Sequence, residues 1–310
     1  MKTILLLGGY GFLGTNIIKH IDTLLNDKYQ VIVLDKNPSH PHGVTFHSVI
    51  KTYAGDYSDP NLLKKIFSQN KIDLVLHSLS TTIPIGQQNA RYDIETNLFP
   101  TLNILDHMVE NHIKNVVYIS SGGAIYGTNG DVKHKEDEDV FPVSSYGVVK
   151  LTIEKYLMQY AQLYGIKPLI LRLSNPFGAF HYSMKQGVIN VAIAKALSGE
   201  QMEIWGSGDD KKDYIYVDDF VNLLFILLEK GISNEIVNIA SGQLLSVNDI
   251  ISAVKKIEPS LNTKHIKADL HDTLHFTLNT LKLYQLIGDY KFQTFHEGLL
   301  KTYQWMKSVV

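Results

Sequence analysis

The strongest constraint on the fold lies at the start of the chain. A short uninterrupted apolar run, Lys2 to Leu7, meets glycines at Gly8, Gly11 and Gly14, and behind them comes helical apolar spacing through Phe12, Leu13, Ile17, Ile18, Ile21 and Leu25. The order is strand, tight turn, helix. In such a turn the first glycine permits the bend, the second lets backbone approach a pyrophosphate at the helix N-terminus, and the third brings helix and strand close. A bare glycine triplet would be a weak sign of dinucleotide binding; its position directly after the first strand gives it force. Residues 29–34 read as a second strand ending in Asp35, twenty-one residues past Gly14. A carboxylate there can accept both ribose hydroxyls of an adenosine and repels a 2′-phosphate, which favours NAD over NADP, although an ordinary loop Asp is the alternative. Lys36 follows at once and would soften that discrimination.

The same alternation continues. A third strand ends at Gly55-Asp56-Tyr57, where Asp56 either accepts from an adenine amino group or forms a turn. A helix over 61–69 leads to a fourth strand over 71–76, running into Ser78, Leu79, Ser80, Thr81 and Thr82. A long helical pattern over 88–112 contains Asn97 and is interrupted at Pro100; a fifth strand over 115–120 and a sixth over 168–174 follow. Strands alternating with helices imply parallel crossovers, hence an α/β fold with a doubly wound parallel Rossmann sheet and ligands at the strands' carboxyl ends. Beyond residue 175 the strands shorten and helical patterns appear at 188–197, 217–229, 247–257 and 295–307. The expected organisation is an NAD-binding domain over 1–175 and a smaller, partly interleaved substrate domain over 176–310 with some return to the sheet. The mixed charge run at 131–139 reads as a solvated loop.

Composition excludes several functions. A chain of 310 residues, 45% hydrophobic, can bury a sizeable core. Its net charge of -2, with no basic run, gives no field to gather nucleic acid or an anionic membrane. It has no cysteine, which removes disulfides, zinc-thiolate sites and thiol chemistry and fits a cytoplasmic location. The first residues resemble a secretory signal superficially, but glycines interrupt the run too early. No stretch reaches the roughly 18 apolar residues of a membrane span; the longest, 223–228, reads as a buried helix. Among thirteen histidines, His40, His42 and His47 lie close together and His271 and His275 stand four apart, yet no carboxylate shares a ligand pattern with them, so no metal is expected.

The chemistry concentrates in Ser144-Ser145-Tyr146-Gly147-Val148-Val149-Lys150. Tyr146 and Lys150, four apart in a segment with helical spacing (Val149, Ile153, Leu157), share a helix face. A free tyrosine is too weak an acid to serve as a base at neutral pH. A cation about 5 Å away, at an effective dielectric of about 20, stabilises the phenolate by about 3 kcal/mol. Alone, such a pair is more often a plain aromatic and lysine contact; the glycine turn and Asp35 argue for the chemical reading.

With GGYGFLG, Asp35, the serine-rich end of the fifth strand, Tyr146 with Lys150, and LRLSNPFG in order, the chain resembles the extended short-chain dehydrogenase/reductases. More narrowly it resembles the NAD-dependent nucleotide-sugar epimerase/dehydratase family, over nearly its whole length. The resemblance implies that Tyr146 takes a proton from a sugar hydroxyl, usually at C4, while hydride passes to NAD; Lys150 holds the cofactor ribose, and a serine or threonine hydroxyl assists. It implies cofactor contacts at Gly8, Gly11, Phe12, Leu13, Gly14, Asp35, Lys36, Asp56, Tyr57, Leu79, Ser80, Asn97, Ser120 and Pro176. Sugar-nucleotide contacts are implied at Thr82, Ser121, Asn175, Trp205, Lys212, Tyr214 and Asp269.

Two departures qualify the resemblance. The assisting hydroxyl, four residues before Tyr126, falls on Gly122, so Ser121 is the substitute; Gly123 and Ala124 stand where a 4,6-dehydratase carries its acids. Lys212 stands in place of a family arginine on the diphosphate, and a second arginine is missing before Asp269, where Lys264 or Lys267 could compensate. The only arginines are Arg91 and Arg172. The expectation is therefore an NAD-dependent nucleotide-sugar 4-epimerase, or on the same site a 4-dehydrogenase/4-ketoreductase, acting as a homodimer.

Overall fold

Both faces of the first strand, β1 (Lys2–Leu7), are apolar, so it belongs at the centre of a sheet covered on each side. The computed structural model, which describes residues 1–80, 89–127, 133–183, 186–267 and 277–309, has this arrangement. Ile4 and Leu6 join Val31, Val33, Leu76 and Val117 against Ile17 and Ile18 in one buried cluster. Leu5 and Leu7 join Ile32, Leu34, Val75 and Tyr118 against Leu63, Leu105 and Ile153 in the other. Alternate residues of each strand thus feed opposite layers.

In chain order, β1 is followed by α1 (Phe12–Leu24), β2 (Tyr29–Asp35), β3 (Val49–Ala54), α2 (Pro60–Gln69) and β4 (Leu74–His77). Next come α3 (Ala90–Asp93), a π-helical turn (Ile94–Leu98), α4 (Phe99–Glu110), β5 (Asn115–Ser121), α5 (Gly122–Ile125), β6 (Lys133–His134), α6 (Ser145–Tyr164) and β7 (Lys167–Leu173). The carboxyl part carries β8 (Asn175–Phe177), α7 (Val188–Ser198), β9 (Met202–Trp205), β10 (Lys211–Tyr216), α8 (Val217–Glu229) and β11 (Glu235–Ile239). It closes with β12 (Leu244–Ser246), α9 (Val247–Ile257), β13 (Thr263–Ile266), β14 (Thr277–Leu278), α10 (Leu281–Ile287) and α11 (Phe295–Val309). Seven strands form one parallel sheet in the order β11-β7-β5-β4-β1-β2-β3. The order reverses between β1 and β4, which opens a crevice at their carboxyl ends.

The seventh strand, β11, is the return of the carboxyl part to the sheet; residues 223–228 lie, as expected, in a buried helix, α8, packed on α1. The interruption of the long helix before α4 has a local cause. Pro100 has no N–H to offer the Thr96 carbonyl, the chain takes a π-turn, and the Tyr57 hydroxyl donates to that carbonyl instead. The charged run at 131–139 departs from expectation. In its described part β6 pairs with β14, His134 is buried, and Glu136 accepts the Asn238 backbone N–H at 2.8 Å. Glu136 thus docks the segment, while Lys133, Lys135, Asp137 and Asp139 remain exposed to solvent as expected.

Candidate active site

Four sheet neighbours end side by side, and their following residues converge: Gly8 after β1, Leu79 and Ser80 after β4, Ser121 at the end of β5, and Asn175 after β7. The glycine turn fits a diphosphate. Gly8 has φ +77°, a Cβ on Gly14 would lie 2.1 Å from the Gly8 carbonyl oxygen, and Leu79 packs over Gly8. A Cβ on Gly11 would meet only the Gly8 carbonyl oxygen, at 3.5 Å, and α1 begins there with no side-chain cap, so its first-turn N–H groups at Phe12 and Leu13 are available to an anion.

Asp35 lies at the end of β2, its carboxylate accepting the Tyr10 N–H at 3.0 Å and the Asn37 N–H at 3.1 Å. Lys36 is paired with Asp56 at 3.2 Å on the surface, and Asp56 also accepts from Ser58 within its own turn. Tyr57 is buried, and its hydroxyl donates to the Thr96 carbonyl. Asn97 is buried in the π-turn and donates to the Asp93 carbonyl at 3.2 Å.

Ser144 caps α6 by accepting the Gly147 N–H at 3.1 Å, and Gly165 ends the helix in the left-handed conformation. This cap fixes the face that carries Tyr146 and Lys150. The Lys150 ammonium is only 5% exposed, donates to the Ile119 carbonyl at 2.9 Å, and lies 4.7 Å from the Tyr118 ring centre and 5.7 Å from that of Tyr146. Burial pushes its pKa down to about 7 against the pull of Glu154.

The Tyr146 phenol departs from expectation. Burial raises its pKa, the Ser80 and Ser121 hydroxyls set against it act in the opposite direction, and the Asp93 charge raises it further. Lys150 does not acidify it in the cofactor-free chain, because the amine is itself half discharged near neutrality and is directed at Ile119. Behind the pair, His77 is buried and neutral, its pKa pushed down to about 3 by desolvation and then by Lys150.

Ser120 is buried near the end of β5, directly before Ser121. Its hydroxyl donates to Glu154 at 2.6 Å, and Arg172 forks onto the same carboxylate at 2.8 Å while donating to the Tyr126 hydroxyl at 2.8 Å. Tyr126 in turn donates to Asn238 at 2.8 Å. Glu154 was not foreseen, although its place one turn beyond Lys150 on the Tyr146 face was visible in the spacing. A Cβ on Gly122 would come 2.5 Å from Leu278 Cδ1, so a side chain there would require Leu278 to shift. The hydroxyl missing there is matched by Ser121 and by Ser80 from the neighbouring strand.

One strand over from Ser121, whose sheet partner is Leu173, a cleft of about 940 Å³ gathers Phe12, Asn175, Pro176, Trp205, Lys212 and Tyr214. Asn175 donates to the Asp213 carbonyl at 2.7 Å, Trp205 is 52% exposed, and Lys212 has no ion-pair partner among the described residues. The N-terminus of α7, capped by Gly187 with no side-chain bond, lines the same cleft. Neither arginine reaches it: Arg91 pairs with Glu95 on the surface, and Arg172 is spent on Glu154. Thr82 and Asp269, with Thr81, His271 and His275, lie outside the described residues. Among the described residues no cluster of three metal-ligating side chains occurs; His40 is instead buried amid Tyr10, Phe46, Phe180 and Tyr182.

A parallel sheet with a glycine-rich turn, a Tyr-x-x-x-Lys helix and a second cleft beside it has the organisation of an extended short-chain dehydrogenase/reductase. The chain belongs to the NAD dependent epimerase/dehydratase family, whose model matches residues 4–240. It is 34% identical over 254 residues, 81% of each chain, to a Methanocaldococcus jannaschii protein carrying the provisional name UDP-glucose 4-epimerase. It is 30% identical over 283 residues, 90% of this chain and 88% of the other, to dTDP-4-dehydro-6-deoxyglucose reductase of Escherichia coli. The structure is similar to that of the Thermotoga maritima UDP-glucose 4-epimerase with UDP-glucose, with a TM-score of 0.90, 29% identity and 99% of both chains covered. Fold class, family and NAD dependence thus agree with the sequence reading, and no described helix is long and apolar enough to cross a membrane.

Proposed function

We propose that the protein is a nucleotide-sugar 4-epimerase that oxidises C4 of the sugar transiently and reduces it again from the opposite face. The observation that carries this reading is a juxtaposition. Tyr146, Ser80 and Ser121 meet at one end of the sheet, and one strand over lies a separate cleft holding Lys212, Trp205 and Tyr214. A small alcohol would need only the first; a sugar joined to a nucleotide diphosphate needs both.

The glycine turn, Asp35 and Lys150 would hold NAD, which when bound supplies reversible acceptance of a hydride from C4. The chain's own part is proton handling. Tyr146 receives the C4 hydroxyl proton at its phenol oxygen, while Ser121 and Ser80 hold the sugar oxygen in line. A phenol held protonated by burial needs a nearby cation before it can accept that proton, and Lys150 is the one the chain supplies. Return of the proton to O4, after the keto sugar has turned over, leaves Tyr146 as it began. Lys212 and the uncapped first turn of α7 offer positive charge to the diphosphate, as a point charge rather than an arginine fork, and the Trp205 indole offers a face to the base. Gly123 and Ala124 leave no acid to expel water, which disfavours a dehydratase. We further infer a homodimer formed through α4 and α6.

The likeness to a reductase keeps one-way hydride transfer as the second reading. Incubating the protein with UDP- and dTDP-hexoses in deuterated water, with mass spectrometry and NADH absorbance, separates the two. Epimerisation gives an isomer of unchanged mass, no solvent deuterium on carbon and no net NADH. A product altered by two hydrogens with consumption or release of NADH establishes the second reading, and no conversion of any sugar nucleotide refutes both.

A further inference from the structure

Tyr146, Lys150 and Glu154 follow one another at single turns along one face of α6, and they meet three consecutive residues at the end of β5. The Tyr146 phenol is set against the Ser121 hydroxyl, the Lys150 ammonium donates to the Ile119 carbonyl at 2.9 Å, and Glu154 accepts from the Ser120 hydroxyl at 2.6 Å. Glu154 is 1% exposed and Lys150 5%. A buried carboxylate and a buried amine are thus anchored on neighbouring residues of one strand.

Glu154 is also held from β7. Arg172 donates to both of its oxygens, at 2.8 and 3.2 Å, and is itself tied to the Tyr126 hydroxyl, which donates to Asn238 on β11. With donors from two strands the carboxylate has one place to be. The amine beside it needs a reason to stay charged, because enclosure disfavours an ammonium. Its other neighbours supply little: the neutral His77 ring on β4, the Tyr118 ring and the Ile119 carbonyl on β5. Asp93 on α3 acts on the phenol, Asp106 on α4 is bonded to Tyr160, and Glu95 in the π-turn pairs with Arg91 at the surface. The carboxylate that acts on Lys150 is Glu154, with Arg172 offsetting part of its field.

We propose that Glu154 is a positioning residue: fixed by Arg172 and Ser120, it keeps a negative charge one turn from Lys150 and so holds that amine charged where Tyr146 needs a cation. This rests on the reading of Tyr146 and Lys150 as the pair that handles the sugar's proton.

The test is an NMR titration of Lys150 in cofactor-free protein carrying isotope-labelled lysine, the signal being identified by its loss in Lys150→Met. Wild type is compared with Glu154→Gln and with the double variant Glu154→Gln, Arg172→Gln. The double variant removes both charges and leaves none buried alone, so it carries the test if the single variant does not fold. Thermal melting checks each fold. The wild-type midpoint is expected at about pH 7. In the double variant it is expected to fall by about one unit, a tenfold loss of proton affinity, and in the single variant by more, because Arg172 is left unopposed. A midpoint within about 0.3 unit of wild type in the double variant would overturn the proposal. So would a rise toward the usual 10.5, since a merely structural role would loosen the packing and let water reach the amine. If the midpoint falls as expected yet no sugar nucleotide is converted, the assignment of Glu154 stands and the epimerase reading falls. If sugars are epimerised and the midpoint does not move, that reading stands and the assignment of Glu154 falls.

Discussion

His77 shows how much a single buried ring can contribute to the pH response of this molecule. The Thr101 hydroxyl donates its one proton to the Asn97 carbonyl at 2.6 Å, so the contact of 3.0 Å from His77 Nε2 requires the ring to donate, leaving Nδ1 bare. Burial holds the folded pKa near 3, whereas the unfolded chain takes up its proton near the usual 6.5. The unfolded state therefore binds more protons between these values. The stabilisation is complete above about pH 6.5 and is lost as pH falls toward 3, by roughly 2 kcal/mol already at pH 5. In urea titrations at pH 7.5 and pH 5, His77→Gln, which keeps a donor for Thr101, is expected to lose about 2 kcal/mol less than wild type between the two. Equal losses would contradict this account. Lys150 carries the opposite lesson: a pKa driven to about 7 by burial is a cost to the cofactor-free fold, retained where a ribose and a phenol require an amine.

Among the elements, α4 and α6 present apolar surface that none of the described residues covers. Phe99, Val148, Met158, Leu163 and Tyr164 are exposed on them, Leu163 by 61%, while Tyr160 ties the two helices together through Asp106 at 2.5 Å. On α6, Leu163 lies open, and Leu151 and Tyr156 are half-buried. Two such helix pairs meeting about a twofold axis would cover this surface. Sedimentation is expected to give a mass of about 70 kDa, twice that of the 34.9 kDa chain, and Leu163→Glu with Met158→Glu is expected to halve it. A wild-type mass of one chain would refute the dimer. The helix and strand pattern that makes this surface was legible early, because long periodic segments such as α6 and the apolar strands β1, β2 and β5 signal themselves. Short elements did not: β11 has five residues interrupted by Asn238, and β6 pairs only through two residues inside a charged run.

For the molecule as a whole, what could be read from sequence was the part of the site fixed by local spacing. The glycine turn, Asp35 and Tyr146 with Lys150 follow strand ends or share a helical register, whereas the cleft residues Asn175, Trp205, Lys212 and Tyr214, on β8, β9 and β10, came only through the family resemblance. What could not be read depended on partners far away in the chain. The Ser120 hydroxyl is engaged by Glu154, which Arg172 holds, and the space beside Gly122 is taken by Leu278. The same distant contacts decide the electrostatics: burial raises the phenol's pKa against an expectation based on Lys150 alone.

The central claim is that the hydroxyl of Tyr146 carries the sugar's proton. It is tested most directly by the conversion rate of NAD-loaded Tyr146→Phe on whichever sugar nucleotide the wild type epimerises, with bound NAD measured alongside. The expected result is a rate lower by about a hundredfold to ten-thousandfold with cofactor content unchanged. A rate within about fivefold of wild type would contradict the claim.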